Sequence, residues 1–201
     1  MKKYLILIAG SPATGKSYLI HLIKKVLADI FIITPDEGKE LYADSVGFDN
    51  LNEKAALEER VWQFYYGVLK LYMNAGKKFV VSEYPFSAKQ KKRLNDLAVI
   101  YNYEVITIRL TADFEQLWAR RELRDREPDR HLSHIMTHYH YGDCLRDRSQ
   151  ADNLITKKEF KKIIELRRYN EFSLGHLFEY DVSDFSTVDY SKLLAYLANL
   201  A

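Results

Sequence analysis

Two kinds of hydrophobic pattern follow one another along the chain. Short runs dominated by β-branched, leucine and aromatic residues are typical of strands buried in a parallel sheet. Longer stretches lie between them, in which apolar residues return every three or four positions, as on one face of a helix. The predicted strands cover residues 3–9, 29–33, 79–83, 104–109 and 176–182. The predicted helices cover residues 15–28, 35–43, 52–75, 86–100, 112–126, 157–170 and 188–200.

Local signals mark several of these boundaries. Thr34, Pro35 and Glu37 have the order of an N-cap, a first-turn proline and the partner of a capping box. Gly76 follows the longest helical pattern in the usual C-terminal position. The segment 133–149, rich in His, Tyr and Arg, fits neither pattern and stays unassigned.

Strands that alternate with helices predict a three-layer α/β fold, in which helices cover both faces of a five-stranded parallel sheet. Ligands of such sheets bind outside the carboxyl ends of the strands. That rule brings residues 10–17, Asp36, Glu83 and the segments after Arg109 and Val182 to one edge. We therefore expect the candidate site residues to converge there.

The sequence between the first strand and the first helix is GSPATGKS, residues 10–17, which matches the phosphate-binding pattern G-x-x-x-x-G-K-[ST] at every fixed position. Backbone N–H groups of such a turn surround a phosphate at a helix N-terminus. Lys16 is expected to reach the β- and γ-phosphates, and Ser17 to hold Mg²⁺. The residues predicted to contact the nucleotide here are Gly10, Ser11, Ala13, Thr14, Gly15, Lys16, Ser17 and Tyr18.

Composition narrows the class of protein. The 201 residues suit one domain, and 47% hydrophobic with 29% charged residues describes a globular protein. A net charge of +2 gives no general reason to expect a nucleic-acid or membrane partner. The single cysteine, Cys144, excludes an internal disulfide and suits a reducing cytoplasm. The first apolar run leads directly into the phosphate loop, so we do not expect a signal peptide.

Two carboxylates stand at predicted strand ends. Asp36 would lie beside the γ-phosphate, where it could orient or deprotonate an acceptor hydroxyl. The alternative is an acid in a first helical turn, stabilised by the helix dipole. Glu83 could hold a metal-bound water or contact the acceptor, or it could be a solvated strand terminus, and these alternatives stay open.

The region after the fourth strand is dense in arginine. Arg120 and Arg124 share a helix face, and further arginines follow at positions 121, 126 and 130. Arginines can neutralise a triphosphate and the charge of a transition state. A solvated, salt-bridged helix has the same composition, because acids alternate with these arginines. We predict that at least two are functional, choose Arg124 and Arg130 as catalytic, and assign Arg120 to the nucleotide.

Four histidines cluster at positions 131, 134, 138 and 140. A metal site is poorly supported, because no acidic or cysteine partner has convincing ligand spacing. Contact with the acceptor or with a phosphate is the favoured interpretation. The basic run from Lys89 to Arg93 is interpreted as a solvated helix face.

Four further segments resemble a known family: ITPDEGKELYADSVGF (33–48), FVVSEYPF (79–86), RDREPDRHLSH (124–134) and YDVSDFSTVDY (180–190). Together with the phosphate loop they are similar to the small P-loop kinase-like group of AAA-type ATPase domains, which is related to chloramphenicol phosphotransferase, zeta toxins and polynucleotide 5′-kinase. Leu132 and Ser133 stand where this group usually has Pro and Gly.

The resemblance implies a kinase fold over one domain, ATP with Mg²⁺, and Asp36 acting on an acceptor hydroxyl. It also implies an arginine-rich lid at about 124–150 and a loop after the last strand, here with Asp184, that contacts the base. The sequence thus predicts a cytoplasmic phosphotransferase that moves the γ-phosphate of ATP to a hydroxyl or phosphate of a small molecule, with a nucleoside- or nucleotide-like acceptor favoured. The alternatives are a nucleotide-binding switch or regulatory ATPase, and a polynucleotide 5′-hydroxyl kinase, which the modest charge disfavours.

Overall fold

The computed structural model describes residues 2–201. Five parallel strands form one sheet in the order β2-β3-β1-β4-β5. The strands are β1 (Tyr4–Gly10), β2 (Ile30–Ile32), β3 (Phe79–Glu83), β4 (Glu104–Thr111) and β5 (His176–Asp181). The helices are α1 (Lys16–Val26), α2 (Pro35–Val46), α3 (Leu51–Asn74), α4 (Ala88–Tyr101), α5 (Phe114–Asp125), α6 (Lys157–Arg167) and α7 (Ser191–Ala198). The predicted fold class is confirmed.

The central strand β1 is buried along its whole length, and its side chains alternate between two cores. Ile6 and Ile8 pack with residues of α1 and α7 on one face. Leu5 and Leu7 pack with residues of α3 and α4 on the other. A strand covered on both faces needs an unbroken apolar run, which explains the sequence YLILIA.

The predicted boundaries agree with the observed ones to within three residues. The hydroxyl of Thr34 accepts a hydrogen bond from the N–H of Glu37 (3.1 Å), as an N-cap does. The largest shifts, of three residues, occur at three helix ends. Helix α2 continues to Val46 and ends at Gly47, α6 ends at Arg167 because Arg168 adopts a left-handed backbone, and α7 begins only after a 3-10 turn at Phe185–Thr187. No helix among residues 2–201 combines the length and the hydropathy that a membrane crossing needs.

A third apolar cluster lies beside α2 and α3. It is completed by the α5–α6 connection (residues 126–156), which includes the segment that the sequence pattern left unassigned. Leu132, Ile135 and Tyr139 of the connection pack with Ala43 and Leu57. The connection contains two 3-10 turns and pairs with the chain after α2 through an antiparallel bridge between residues 48 and 139. Its position therefore comes from tertiary packing.

Candidate active site

A cavity of about 590 Å³ opens at the carboxyl edge of the sheet. The phosphate loop, the start of α2, the end of β3 and the helices α5 and α6 form its walls. The residues named from the sequence that line it are Ala13, Gly15, Lys16, Ser17, Asp36, Glu83, Arg120, Arg124 and Arg130. The predicted convergence at this edge is observed.

The phosphate loop has the backbone of an anion-binding turn. Gly10, Ala13 and Gly15 all have positive φ, at 136°, 70° and 79°. A Cβ on Gly10 would lie 2.3 Å from the carbonyl oxygen of Leu110, so only glycine fits there. Ser11 and Thr14 are buried and stabilise the turn, because the Thr14 hydroxyl donates to the Ser11 carbonyl (2.9 Å).

The N-terminus of α1 has no side-chain cap, since Gly15 occupies the N-cap position. The N–H groups of its first turn therefore face the cavity with the positive end of the helix dipole. Tyr18 lies outside the cavity lining and is 62% exposed.

Lys16 is folded back onto the loop that precedes it. Its Nζ donates to the carbonyl oxygens of Ser11 (2.9 Å) and Gly10 (3.2 Å). Burial lowers the pKa of Lys16 to about 8, although the carboxylates of Glu83 and Asp36 act in the opposite direction. Among residues 2–201, no carboxylate forms an ion pair with this buried ammonium group. An anion beside it would therefore be stabilised, and a phosphate group would supply that anion.

The hydroxyl of Ser17, in the first turn of α1, donates to Oε1 of Glu83 (2.7 Å), the last residue of β3. The second oxygen, Oε2, is buried and has no hydrogen-bond partner among the described residues. Burial raises the pKa of Glu83 despite the opposing hydrogen bond from Ser17 and charge of Lys16. One hydroxyl beside a carboxylate with a free oxygen is the donor set that Mg²⁺ uses at phosphate sites, so these residues fit that ion.

Asp36 lies in the first turn of α2, directly after the Thr34 cap. Its side chain is 54% exposed and lines the cavity. Lys39 lies 3.4 Å from Asp36 and 4.0 Å from Glu58, and it donates to the hydroxyl of Tyr84 (3.3 Å). Burial would raise the pKa of Asp36, but the positive charge of Lys39 and of other groups around the cavity outweighs it and lowers the pKa.

A single carboxylate organises the arginines. Asp125, at the end of α5, is only 4% exposed. It lies within ion-pair distance of Arg121 (3.1 Å), Arg124 (3.3 Å) and Arg130 (3.4 Å). The Nε atom of each arginine is buried without a hydrogen-bond partner among the described residues, and all three side chains line the cavity. Arg126 instead pairs with Glu122 in solvent (2.8 Å).

This arrangement divides the arginines into two groups. Arg126 and Glu122 form a solvent-exposed pair, whereas residues 121, 124 and 130 share Asp125 and line the cavity, and a catalytic role for Arg124 and Arg130 stays a prediction. Burial and the charge of Arg124 lower the pKa of Arg130 to about 10, and Asp125 opposes this shift. Three guanidinium groups on one carboxylate leave an excess of positive charge beside the phosphate loop.

Arg120 has a different set of contacts. It donates to the carbonyl oxygens of Val182 (2.8 Å) and Ser183 (2.7 Å), and its guanidinium group stacks 3.7 Å from the ring centre of Phe185. Phe185 lines the cavity next to Gly15. Asp184 does not line it, because its carboxylate accepts from the N–H of Ser186 (2.9 Å) and caps a short turn.

The four histidines each lie beside a carboxylate. His131 contacts Asp44 (3.1 Å), His134 contacts Glu40 (2.7 Å), His138 contacts Asp152 (3.6 Å) and His140 contacts Asp49 (2.8 Å). Only His134 lines the main cavity, and burial lowers its pKa although its contact with Glu40 opposes the shift. Residues 2–201 contain no group of three side chains placed to hold a metal through His, Cys, Asp or Glu alone.

Several cavity residues were not named from the sequence as site residues. Phe185 stands out in its segment only as an aromatic residue between polar ones, which is a weak signal. Further examples are Lys39, Lys54, Glu58, Arg121, Phe160 and Tyr169. Lys54 and Glu58 lie one turn apart on α3, where their spacing is the same as that of any solvated pair.

Residues 5–138, two thirds of the chain, match the family model described as AAA domain. The chain belongs to this family. No curated protein sequence matches it significantly. As an AAA-domain protein with a phosphate loop on a 2-3-1-4-5 sheet, it has a P-loop kinase-like fold.

Solved structures share this fold at low sequence identity. A "putative kinase" from Chloroflexus aurantiacus matches with a TM-score of 0.73 and 22% identity, and the match covers 100% of both chains. The tunicamycin resistance protein of Deinococcus radiodurans matches with a TM-score of 0.55 and 12% identity, over 98% of this chain and 94% of that one. A chain of the Pnkp1/Rnl/Hen1 RNA repair complex matches with a TM-score of 0.56 and 13% identity. The match covers 87% of this AAA-domain protein but only 47% of that chain.

Proposed function

We propose that the protein is an ATP-dependent phosphotransferase that moves the γ-phosphate of ATP to a hydroxyl or phosphate of a small, nucleoside- or nucleotide-like acceptor. The observation that carries the proposal is that three sets of residues, each suited to one part of phosphoryl transfer, line one cavity. The phosphate loop and Lys16 supply phosphate binding, Ser17 with Glu83 supplies a metal site, and Asp36 supplies a carboxylate for the acceptor. A kinase-like fold is consistent with this assignment.

In this proposal the chain's own groups bind and orient the nucleotide. The first-turn N–H groups of α1 and Lys16 hold the β- and γ-phosphates. Ser17 and Glu83 hold Mg²⁺, which neutralises charge on the same phosphates when it is bound. Arg124 and Arg130, with Arg121, stabilise the charge that develops on the transferring group.

Asp36 is the carboxylate that orients the acceptor hydroxyl in this proposal. Its lowered pKa keeps the carboxylate ionised at neutral pH, so it can accept a hydrogen bond from an acceptor hydroxyl. Such a weak base suits phosphoryl transfer, because the transition state is loose and little proton removal is needed before the new bond forms. Lys39 fixes this carboxylate, and its own pKa is raised because the charge of Asp36 outweighs burial.

The nucleotide base has a proposed position of its own. Arg120 and Phe185 form the wall beside Gly15 where the base would lie.

The test is ADP release from Mg-ATP with a panel of acceptors. The panel holds nucleosides, nucleotides, aminoglycoside- and chloramphenicol-like alcohols and a 5′-hydroxyl oligonucleotide. Lys16→Met is the inactive reference, and Lys25→Met, an exposed change on the same helix, is the matched control. Stimulation by one acceptor class in the wild type and in the Lys25 variant, but not in the Lys16 variant, is expected.

Tight ATP binding without stimulation by any acceptor would favour the nucleotide-binding switch instead. The position of Asp36 and of three arginines around one cavity argues for transfer, since a switch needs neither an acceptor carboxylate nor so much positive charge. A polynucleotide acceptor would show itself by activity that falls steeply as salt is raised.

A further inference from the structure

Lys54 lines the same cavity as the phosphate loop, and the nucleotide-binding assignment above does not use it. It projects from the first turns of α3, whereas Lys16 and the arginines belong to α1, α5 and the α5–α6 connection. Its Nζ donates to the carbonyl oxygen of Met136 (3.2 Å) and lies 5.3 Å from the ring centre of Phe48. Among residues 2–201, no carboxylate lies within ion-pair distance of it.

The charges around Lys54 compensate its positive charge only in part. Glu58, one turn further along α3, lies nearest to Lys39 (4.0 Å), which is already paired with Asp36. Arg130 lines the same cavity, and its buried Nε atom lies 3.4 Å from Oδ1 of Asp125 without forming a hydrogen bond among the described residues. Burial lowers the pKa of Lys54, and Lys39 and Arg130 add to this, while Glu58 and Asp152 oppose it. Burial and the positive charges of Lys39 and Arg130 make an additional negative charge favourable at this position, whereas Glu58 and Asp152 already supply part of it.

We propose that the acceptor carries a phosphate ester in addition to the group that receives the γ-phosphate, and that Lys54 and Arg130 bind this ester. The proposal rests on the phosphotransferase function above and specifies its substrate class. A neutral acceptor would leave a half-buried ammonium group without a counter-ion, and a cationic acceptor would be repelled by Lys54 and Arg130. Asp36 lines the same cavity and interacts electrostatically with both Lys16 and Arg130, so an acceptor held by Asp36 lies within reach of both groups of positive charge.

A binding experiment tests the subsite without requiring turnover. The protein is first saturated with Mg²⁺ and a non-hydrolysable ATP analogue, so that the phosphate loop is occupied, and inorganic phosphate is then titrated by calorimetry. We expect one phosphate site in the wild type. Lys54→Gln should weaken it by about tenfold or more, because a charged hydrogen-bond donor is replaced by a neutral one.

Two variants separate charge from structure. Gln at position 54 can still donate to the Met136 carbonyl, so a merely structural lysine would tolerate Lys54→Gln. Lys54→Arg keeps the charge and should bind phosphate within about threefold of the wild type. Lys70→Gln, an exposed change on the same helix, should have no effect. Absence of phosphate binding in the wild type, or equal binding in Lys54→Gln, would overturn the proposal.

Turnover with matched acceptors then identifies which class of acceptor carries the phosphate ester that this subsite binds. Nucleoside monophosphates and hexose monophosphates are each compared with their dephosphorylated forms, and the phosphorylated member is expected to have the higher kcat/KM in one pair. Equal values within every pair would overturn the subsite and leave the phosphotransferase intact. Phosphate binding that depends on Lys54, with no transfer to any acceptor, would support the anion site and refute the phosphotransferase.

Discussion

Replacing Asp125 by asparagine should strongly reduce the proposed phosphotransferase activity without changing any group that is proposed to contact substrate. Asn has the same shape and leaves the side chain in place, but it removes the one negative charge that Arg121, Arg124 and Arg130 share. The three guanidinium groups would then repel one another in a partly buried space. We expect them to leave their present positions, in which all three side chains line the cavity.

The magnitude follows from the burial of the carboxylate. Removing one partner of a buried ion pair typically costs about 3–5 kcal/mol, and the partial exposure of Arg124 places Asp125→Asn near the lower end, at about 3 kcal/mol of unfolding free energy. Misplaced arginines should lower kcat by about 10²-fold, the size of the loss when one preorganised donor is removed from a transition state. The KM for ATP should change less, because the phosphate loop and Lys16 are unaffected.

The same helix provides the control. Glu122 and Arg126 form an i,i+4 pair (2.8 Å) with the same spacing as Arg121 and Asp125, but both side chains are exposed to solvent. Glu122→Gln should therefore change the unfolding free energy by no more than about 0.5 kcal/mol and leave kcat unaltered. Urea denaturation and steady-state kinetics of both variants make the comparison. If Asp125→Asn resembles Glu122→Gln in stability and in kcat, Asp125 does not organise the site.

Three further predictions concern the groups that face the substrates. The pKa of about 8 for Lys16 in the free protein means that raising the pH through 8 removes the charge that ATP needs, so kcat/KM for ATP should fall by about tenfold per pH unit above it; a flat profile up to pH 9.5 would contradict this. Asp36→Asn should keep ATP binding, measured by calorimetry, but lose transfer by about 10²-fold or more, and undiminished transfer would direct the search for a base to Glu83. Glu83→Gln should raise the Mg²⁺ concentration for half-maximal activity by about 10–100-fold, measured by metal titration, and an unchanged requirement would exclude Glu83 from the metal site.

The fold was largely predictable because its signals are local. The strands are short apolar runs, the helix period is strong, and the Thr34 cap and Gly76 mark their boundaries within a few residues. The rule for ligand sites in parallel sheets then brought Asp36 and Glu83 to the edge that holds the phosphate loop. The strand order was not predicted, since it depends on which crossovers pack best and leaves no local mark.

The composition of the site was only partly predictable. Arg124 and Arg130 were chosen and do face the cavity, but Arg121 was not separated from its neighbours, because its position depends on a buried contact with Asp125. An aspartate among arginines and glutamates has the same sequence signature whether it is buried or solvated. Phe185 and Lys54 reach the cavity through tertiary packing, which the residues around them do not record.

The α5–α6 connection shows why the part of the structure that the sequence pattern does not predict matters for the site. Its sequence lacks a helical or strand period because its apolar residues pack against α2 and α3. This docking brings Arg130 and His134 to the cavity, while Asp125 links Arg130 to the arginines of α5. The proposed acceptor subsite therefore shares Arg130 with the ion-pair network that is proposed to serve the transferring phosphate. An acceptor phosphate that binds Lys54 and Arg130 would therefore draw on the same guanidinium group that serves the transferring phosphate, so phosphorylated acceptors should affect kcat as well as KM.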